Sequence, residues 1–371
     1  MKIKDIKLDV IERSTSSLLV KDHREDLGGK TIQGVLRVYT DEGIEGNCLV
    51  GQQAQDATLS MKTLIDQLKP VMMGRSIYDW EWLWHQVEYM SCNDLPLQPI
   101  AAPLDIALWD IAGKVVGLPI YKLLGTFKTE TPIYATFPPR HACPEKFVEE
   151  AIKLQDEGFT AYKIHPGPMS VHDTITTVDQ IRLAVGSDMI LMLDRNHGYT
   201  YEEALLVGRA VDANQFYWFE DPVPYHQIGS IKKLAESLDT PINMSDSMNV
   251  LFHEAAQYLR QGHLKMIRGS VRKFGITGLK KLCSMTEGFR KQREIGLGGN
   301  SAMNMANLHV ILSVSNNTFY EYWRPEYIHQ WGVIDELSIQ TNGMISAPEY
   351  PGLGLHLDED WIISHRIAIL C

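Results

Sequence analysis

The chain has 371 residues, 44% hydrophobic and 22% charged, which excludes a disordered or fibrous polypeptide and exceeds one ordinary compact core. Its formal net charge is −11 with no basic block to offset it, which argues against nucleic acid or an anionic membrane as partner. Five cysteines without a CxxC pair, an N-terminus without an apolar signal core, and no run long enough to span a bilayer predict a cytoplasmic setting.

Residues 2–12 alternate polar and apolar, the pattern of a half-buried strand. Residues 13–30 are mixed, with Lys21, Asp22, His23, Arg24, Glu25 and Asp26 in a row, and predict a mobile loop. Residues 31–50 predict a β-hairpin around the turn Asp41-Glu-Gly43. Helical periodicity then covers 54–69, 78–91 and 98–116, so 1–125 form an α+β unit with strands first and helices after. From about 130 the rhythm changes to βα alternation. Candidate strands end near Phe137, Ile164, Asp194, Glu220, Asp246, Arg268, Leu297 and Glu321. That regular spacing, without a dinucleotide fingerprint at the first βα turn, predicts a parallel barrel over 126–325 rather than an open sheet. Residues 326–371 leave the rhythm and are expected to return to the N-terminal unit.

Three acids organise the barrel. Asp194, Glu220 and Asp246 each close a short, mostly apolar run, at intervals of 26 residues (220 − 194 and 246 − 220). One strand, one helix and two loops take about that many residues. Successive parallel strands would therefore present these carboxylates on one face. Close together they repel unless a cation lies between them. Hard oxygen donors without Cys or His favour Mg²⁺ over Zn²⁺. Three unrelated strand-end acids are the alternative, and equal spacing disfavours it.

In Ala161-Tyr-Lys-Ile-His165, residues two apart share a side, so Lys163 and His165 face the interior. A dication nearby, together with burial, would lower the lysine pKa and make it a base near neutral pH. The alternative is a lysine salt-bridged to one of the acids and a histidine making a structural hydrogen bond. Asn196 either orients a ligand or caps the next helix. Asp221 either supports its neighbour Glu220 or starts a helix. Gly296-Leu-Gly298-Gly-Asn-Ser301 lacks the Walker lysine, though an anion could rest on its amides.

Leu104-Asp-Ile-Ala-Leu-Trp-Asp-Ile-Ala-Gly-Lys114, Gly117-Leu-Pro-Ile-Tyr-Lys-Leu-Leu-Gly125, Asp194-x-Asn196, Trp218-Phe-Glu-Asp-Pro222 and 351–354 together resemble the enolase superfamily, within it the mandelate racemase and muconate lactonizing enzyme group. The resemblance covers nearly the whole chain. It implies a (β/α)₇β TIM-like barrel under an α+β capping domain built from both chain ends. It also implies Mg²⁺ held by Asp194, Glu220 and Asp246, a small-molecule carboxylate substrate losing its α-proton, and a homo-oligomer. A Lys or His base beside Mg²⁺ is the superfamily's pattern. Glu321 matches an eighth-strand acid that hydrogen-bonds the substrate carboxylate in relatives.

Departures from the pattern narrow the reaction. The third ligand is Asp rather than Glu, and the second-strand motif is Lys163-x-His165 rather than Lys-x-Lys. The sixth-strand Asp or Lys would fall near Gly269, and no seventh-strand His stands in 297–301. Candidate bases therefore lie on one side only. That favours dehydration of a sugar acid to a 2-keto-3-deoxy acid, with Lys21, His23 and Arg24 either closing over the substrate or forming a solvated loop. An epimerase or cycloisomerase, a two-carboxylate glycosidase and a metal-binding relative without activity are the competing readings.

Overall fold

The computed structural model describes residues 1–15, 29–52, 55–91, 96–244, 252–262, 264–335, 337, 339–340 and 342–371. Lys21, His23, Arg24 and Asp246 lie outside the described residues. One sheet is antiparallel, in the order β13 (Arg366–Leu370), β1 (Ile3–Thr15), β2 (Gly29–Thr40), β3 (Glu45–Val50). The β2–β3 turn sits where Asp41-Glu-Gly43 predicted it, with Gly43 at φ 86 and the Thr40 amide donating to the Ile44 carbonyl at 3.1 Å. The last strand of the chain thus pairs with its first, Leu370 opposite Leu8.

The second sheet is a closed parallel barrel. Its strands run β4 (Thr131–Thr136), β5 (Ala161–Ile164), β6 (Ile190–Asp194), β7 (Trp218–Glu220), β8 (Ile242–Met244), β9 (Met266–Gly269), β10 (Gln292–Ile295) and β11 (Tyr320–Trp323), each hydrogen-bonded to the next up to β10. β11 pairs with β4, and an Arg293–Asn317 bridge joins β10 to the β11 side. Helices Pro144–Asp156, Val171–Val185, Tyr201–Ala213, Ile228–Ser237, Phe252–Gln261, Val271–Gly288 and Ser301–Leu312 fill the intervals. The first buries one stripe through Phe147, Ala151 and Leu154, whereas Ser301–Leu312 is buried all round, so the outer core is sheet against helix. β12 (Met344–Ile345) adds antiparallel to β4. Among the described residues, no helix is long and apolar enough to cross a membrane.

Helix Gln98–Val116 joins the two sheets, and it spans the residues its periodicity predicted. Pro at its first turn and Gly117 at φ 70 after its last give it a standard start and stop. Asp110 on this helix accepts from the amides of Asn47 (3.0 Å) and Leu353 (2.9 Å), tying strand β3 and the C-terminal segment to one carboxylate. Asp105 points the other way, into the barrel layer. Helix Val271–Gly288 breaks at Gly275 (φ 63), where a Cβ would meet the Asp105 carboxylate at 2.4 Å. Beyond the break, Asp105 accepts from the Thr277 amide (3.1 Å) and hydroxyl (2.5 Å), satisfying the reopened helix start.

Burial pushes the Asp105 carboxyl up to about 6, against the pull of the Thr277 bonds. An acid whose pKa is higher folded than unfolded stabilises the fold at low pH and loses that contribution as pH rises through the folded value. Asp105→Ala should therefore cost about 1–2 kcal/mol for the lost cap. The gap to the parent protein should be wider at pH 4.5 than at pH 7.5, as read from urea midpoints at the two pH values.

Candidate active site

The barrel is closed from below by an apolar plug of Tyr134, Ala161, Met192, Trp218 and Met266, one from each of five strands, with Phe319 just before β11. Side chains two apart on a strand share a face. The next inward residue toward each C-terminal end is therefore Thr136, Lys163, Asp194, Glu220, Arg268 and Glu321, and all six are buried. A chemical layer thus rests directly on an apolar one, and the strand register fixes its neighbours. Asp194 stands opposite Glu220, and Glu220 opposite Asn243.

Lys163 sits among the acids. Its Nζ is 2.7 Å from Glu321 Oε1, 3.3 and 3.4 Å from the Glu220 oxygens, and 3.5 Å from Asp194 Oδ2. Arg268 faces it across the barrel. Its Nε lies 3.0 Å from Glu220 Oε1, Nη1 donates to Glu220 Oε2 (3.0 Å), and Nη2 donates to Glu321 Oε2 (2.9 Å). Lys163, Glu220, Arg268 and Glu321 thus form a closed ring of ion pairs. The Trp218 indole N–H donates to Glu220 Oε2 at 3.0 Å and sets the carboxylate plane. His165 Nε2 is 2.9 Å from Asp194 Oδ2, with Thr136 Oγ1 3.1 Å from Nδ1. The Asn196 amide donates to Asp194 Oδ1 at 2.9 Å.

These contacts set the charges. Burial pushes the Asp194 carboxyl up, but His165 and Lys163 more than offset it and hold it well below the usual carboxylate range. Burial, with Asp194 close by, pushes Glu220 well above that range despite Arg268 and Lys163. Burial and the Arg268 guanidinium push Lys163 down, yet Glu220, Glu321 and Asp194 together hold it above its ordinary value. The depression expected from the sequence depends on a dication beside the lysine, and these protein charges alone act the other way. Acids from β6, β7 and β11 converge on one ammonium, and only the closed barrel brings them there.

Other positions differ from expectation in instructive ways. Asn196 does not cap the next helix, because Thr200 does so through a capping box with Glu203. Asn196, His197 and Asp221 all have positive φ (52, 62 and 40) at the mouth, a clustering typical of functional sites. Asp221 starts no helix, since the next begins at Ile228; its Oδ2 lies 3.4 Å from His197 Nε2. The glycine-rich loop spends its amides internally: Leu297 donates to Glu321 (2.6 Å), and Gly298 and Gly299 donate to Asn304 Oδ1.

Sequence reasoning missed Arg268, Asn243 and Glu294. Glu294, in register with Arg268, is buried with its carboxyl pushed up to about 8 by that burial. Period-2 alternation from Met266 places Arg268 inward, whereas the family resemblance pointed to Gly269, one residue later and on the opposite face. A Cβ at 269 would meet the end of the Arg293 side chain, so a larger residue there would require that guanidinium to move.

The donor set fits a magnesium ion. Asp194 and Glu220 are hard oxygen donors in register on adjacent strands, and Asp194 raises the cost of charging Glu220. Each carboxylate oxygen carries two acceptor positions, so a nitrogen donor and a cation can share one. Asp194 and Glu220 would hold the ion. Among the described residues there is no third His, Cys, Asp or Glu to complete the set.

A capped (β/α)₇β barrel with acids ringing the C-terminal mouth defines the class. The chain belongs to the mandelate racemase / muconate lactonizing enzyme group of the enolase superfamily: residues 29–125 match the mandelate racemase / muconate lactonizing enzyme N-terminal domain, and 146–361 the enolase C-terminal domain-like family. It is 26% identical over 384 residues to a D-mannonate dehydratase of Caulobacter vibrioides, covering 89% of this chain and 90% of that one. It is 27% identical over 292 residues to the L-Ala-D/L-Glu epimerase of Bacillus subtilis, covering 78% of each. The crystal structure of a D-glucarate dehydratase from Agrobacterium tumefaciens complexed with magnesium superposes with a TM-score of 0.87 at 25% identity, over 99% of this chain and 100% of that one. The chain is thus a dehydratase-like enzyme of a group that also contains isomerases.

Proposed function

We propose that this enzyme dehydrates a sugar acid, with Mg²⁺ held by Asp194, Glu220 and Asp246. The base on β5, Lys163 or His165, takes the α-proton. The C–H electron pair becomes the new C=C bond, the β C–O bond breaks, and a general acid gives the departing hydroxyl the proton with which it leaves as water. The enol then tautomerises to a 2-keto-3-deoxy acid. Bound magnesium would supply positive charge beside the carboxylate on which negative charge develops. Thr136 fixes the His165 ring, and the plug beneath keeps water from the underside of the site.

The observation that carries this reading is the facing strand. Where a two-sided racemase needs a second base, β9 turns Arg268 inward, and a guanidinium keeps its proton. Proton chemistry on one side suits elimination. The similarity to D-mannonate and D-glucarate dehydratases supports the same reading.

The test is a panel of mono- and diacid sugars assayed in D₂O with MgCl₂. Keto-acid formation that stops in EDTA is expected. Deuterium at the α-carbon without loss of water would replace this reading with epimerisation, and activity unaffected by chelator would remove it.

A further inference from the structure

We propose that Arg268 is a built-in competitor for the divalent cation, a fixed internal charge that sets the cation affinity of Glu220 low. This rests on the reading of Asp194 and Glu220 as cation ligands. The acceptor count on Glu220 is the starting point. Oε2 takes the Trp218 indole N–H and Arg268 Nη1, both at 3.0 Å, and so has both lone pairs in use. Lys163 also reaches Oε2 at 3.3 Å and Oε1 at 3.4 Å, while Arg268 Nε lies 3.0 Å from Oε1 as an ion contact without hydrogen-bond geometry. A cation that comes to Glu220 must share its oxygens with these donors, of which Lys163 is the most distant. Lys163 retains Glu321 at 2.7 Å, so it can yield Glu220 without losing its counter-ion. Arg268 cannot yield so easily. Its Nη2 is held by Glu321 at 2.9 Å, its Nη1 also lies 3.3 Å from the Tyr134 hydroxyl, and Arg293 Nη2 donates to its backbone carbonyl at 3.3 Å.

Two positive groups must then share one carboxylate inside a buried layer, where charges are poorly screened. The guanidinium holds Glu220 in one orientation through Nη1, and its fixed positive charge repels whatever cation arrives. Arg268 is in this sense a positioning residue with an electrostatic cost to cation binding. At Gly269 the end of the Arg293 side chain occupies the space beside the backbone. The sixth strand can offer this site only Arg268.

The experiment is calorimetric titration of Mg²⁺ and Mn²⁺ into metal-stripped full-length protein, comparing the parent with R268M and R268K. R268M should bind at least about tenfold more tightly, since a cation–cation repulsion of order 1.4 kcal/mol or more is removed. R268K, which keeps the charge, should remain near the parent. Circular dichroism checks folding, and should R268M not fold, R268Q carries the same expectation. The thermal shift on adding MgCl₂ should follow the same order. If the parent binds and the neutral variant binds no more tightly, Arg268 is no competitor and the inference falls alone. If folded parent and variants all fail to bind, the cation-ligand reading falls and takes the inference with it.

Discussion

Lys163→Met is expected to reduce turnover by roughly 10³-fold, at the upper part of the range for losing a positioned proton-transfer group. The substitution keeps much of the stem's volume and removes the ammonium that touches Glu321, Glu220 and Asp194. Its effect on folding can be separated from its effect on chemistry. A lysine whose folded pKa is raised stabilises the fold at every pH below its unfolded value, and that contribution fades only as pH climbs through the folded one. Between pH 6 and 9 the parent's stability should therefore show no trend from Lys163. In the variant the three acids lose their shared counter-ion and titrate upward, so the variant should gain relative stability as pH falls toward 5. Activity lost at pH 8 and still absent at pH 5.5, where the variant is better folded, assigns the loss to chemistry. Activity that returns with stability would mean that Lys163 only holds the barrel together.

Local pattern carried most of the architecture. The 26-residue interval put Asp194 and Glu220 in register before any pairing was known, because one βα unit has nearly fixed length. Helix Gln98–Val116 was legible end to end, since its caps and apolar period agree. What stayed illegible depends on contacts distant in sequence. The Lys163 ammonium is held charged by Glu321, which lies on the strand that closes the barrel. Arg268 was hidden for a different reason: attention to the family position at Gly269 overrode the alternation of Met266 and Arg268, which share one face. Asn196 is not the cap because Thr200-x-x-Glu203 is the stronger signal four residues later, and it satisfies two backbone donors at once.

Glu321→Ala should be the most damaging single change to folding, costing about 3–5 kcal/mol, because it leaves buried cations without their counter-ion. Glu321 accepts from Lys163 Nζ, Arg268 Nη2 and the Leu297 amide at 2.7, 2.9 and 2.6 Å, and water cannot readily replace it in a layer sealed by the apolar plug. A loss of that size is a large share of the 5–15 kcal/mol that typically separates folded from unfolded domains. The expected signature is non-additivity. In the double variant Glu321→Ala/Arg268→Met one stranded charge disappears together with its partner. The double change should therefore cost less than the two single costs combined, by roughly 1–3 kcal/mol. Lys163 remains beside Glu220 and Asp194 in that variant, so the rescue should be partial. Urea midpoints for the parent, both single variants and the double variant close the cycle. Costs that simply add would mean that Glu321 and Arg268 act independently, and that the ring of ion pairs around Lys163 is geometry without energetic coupling.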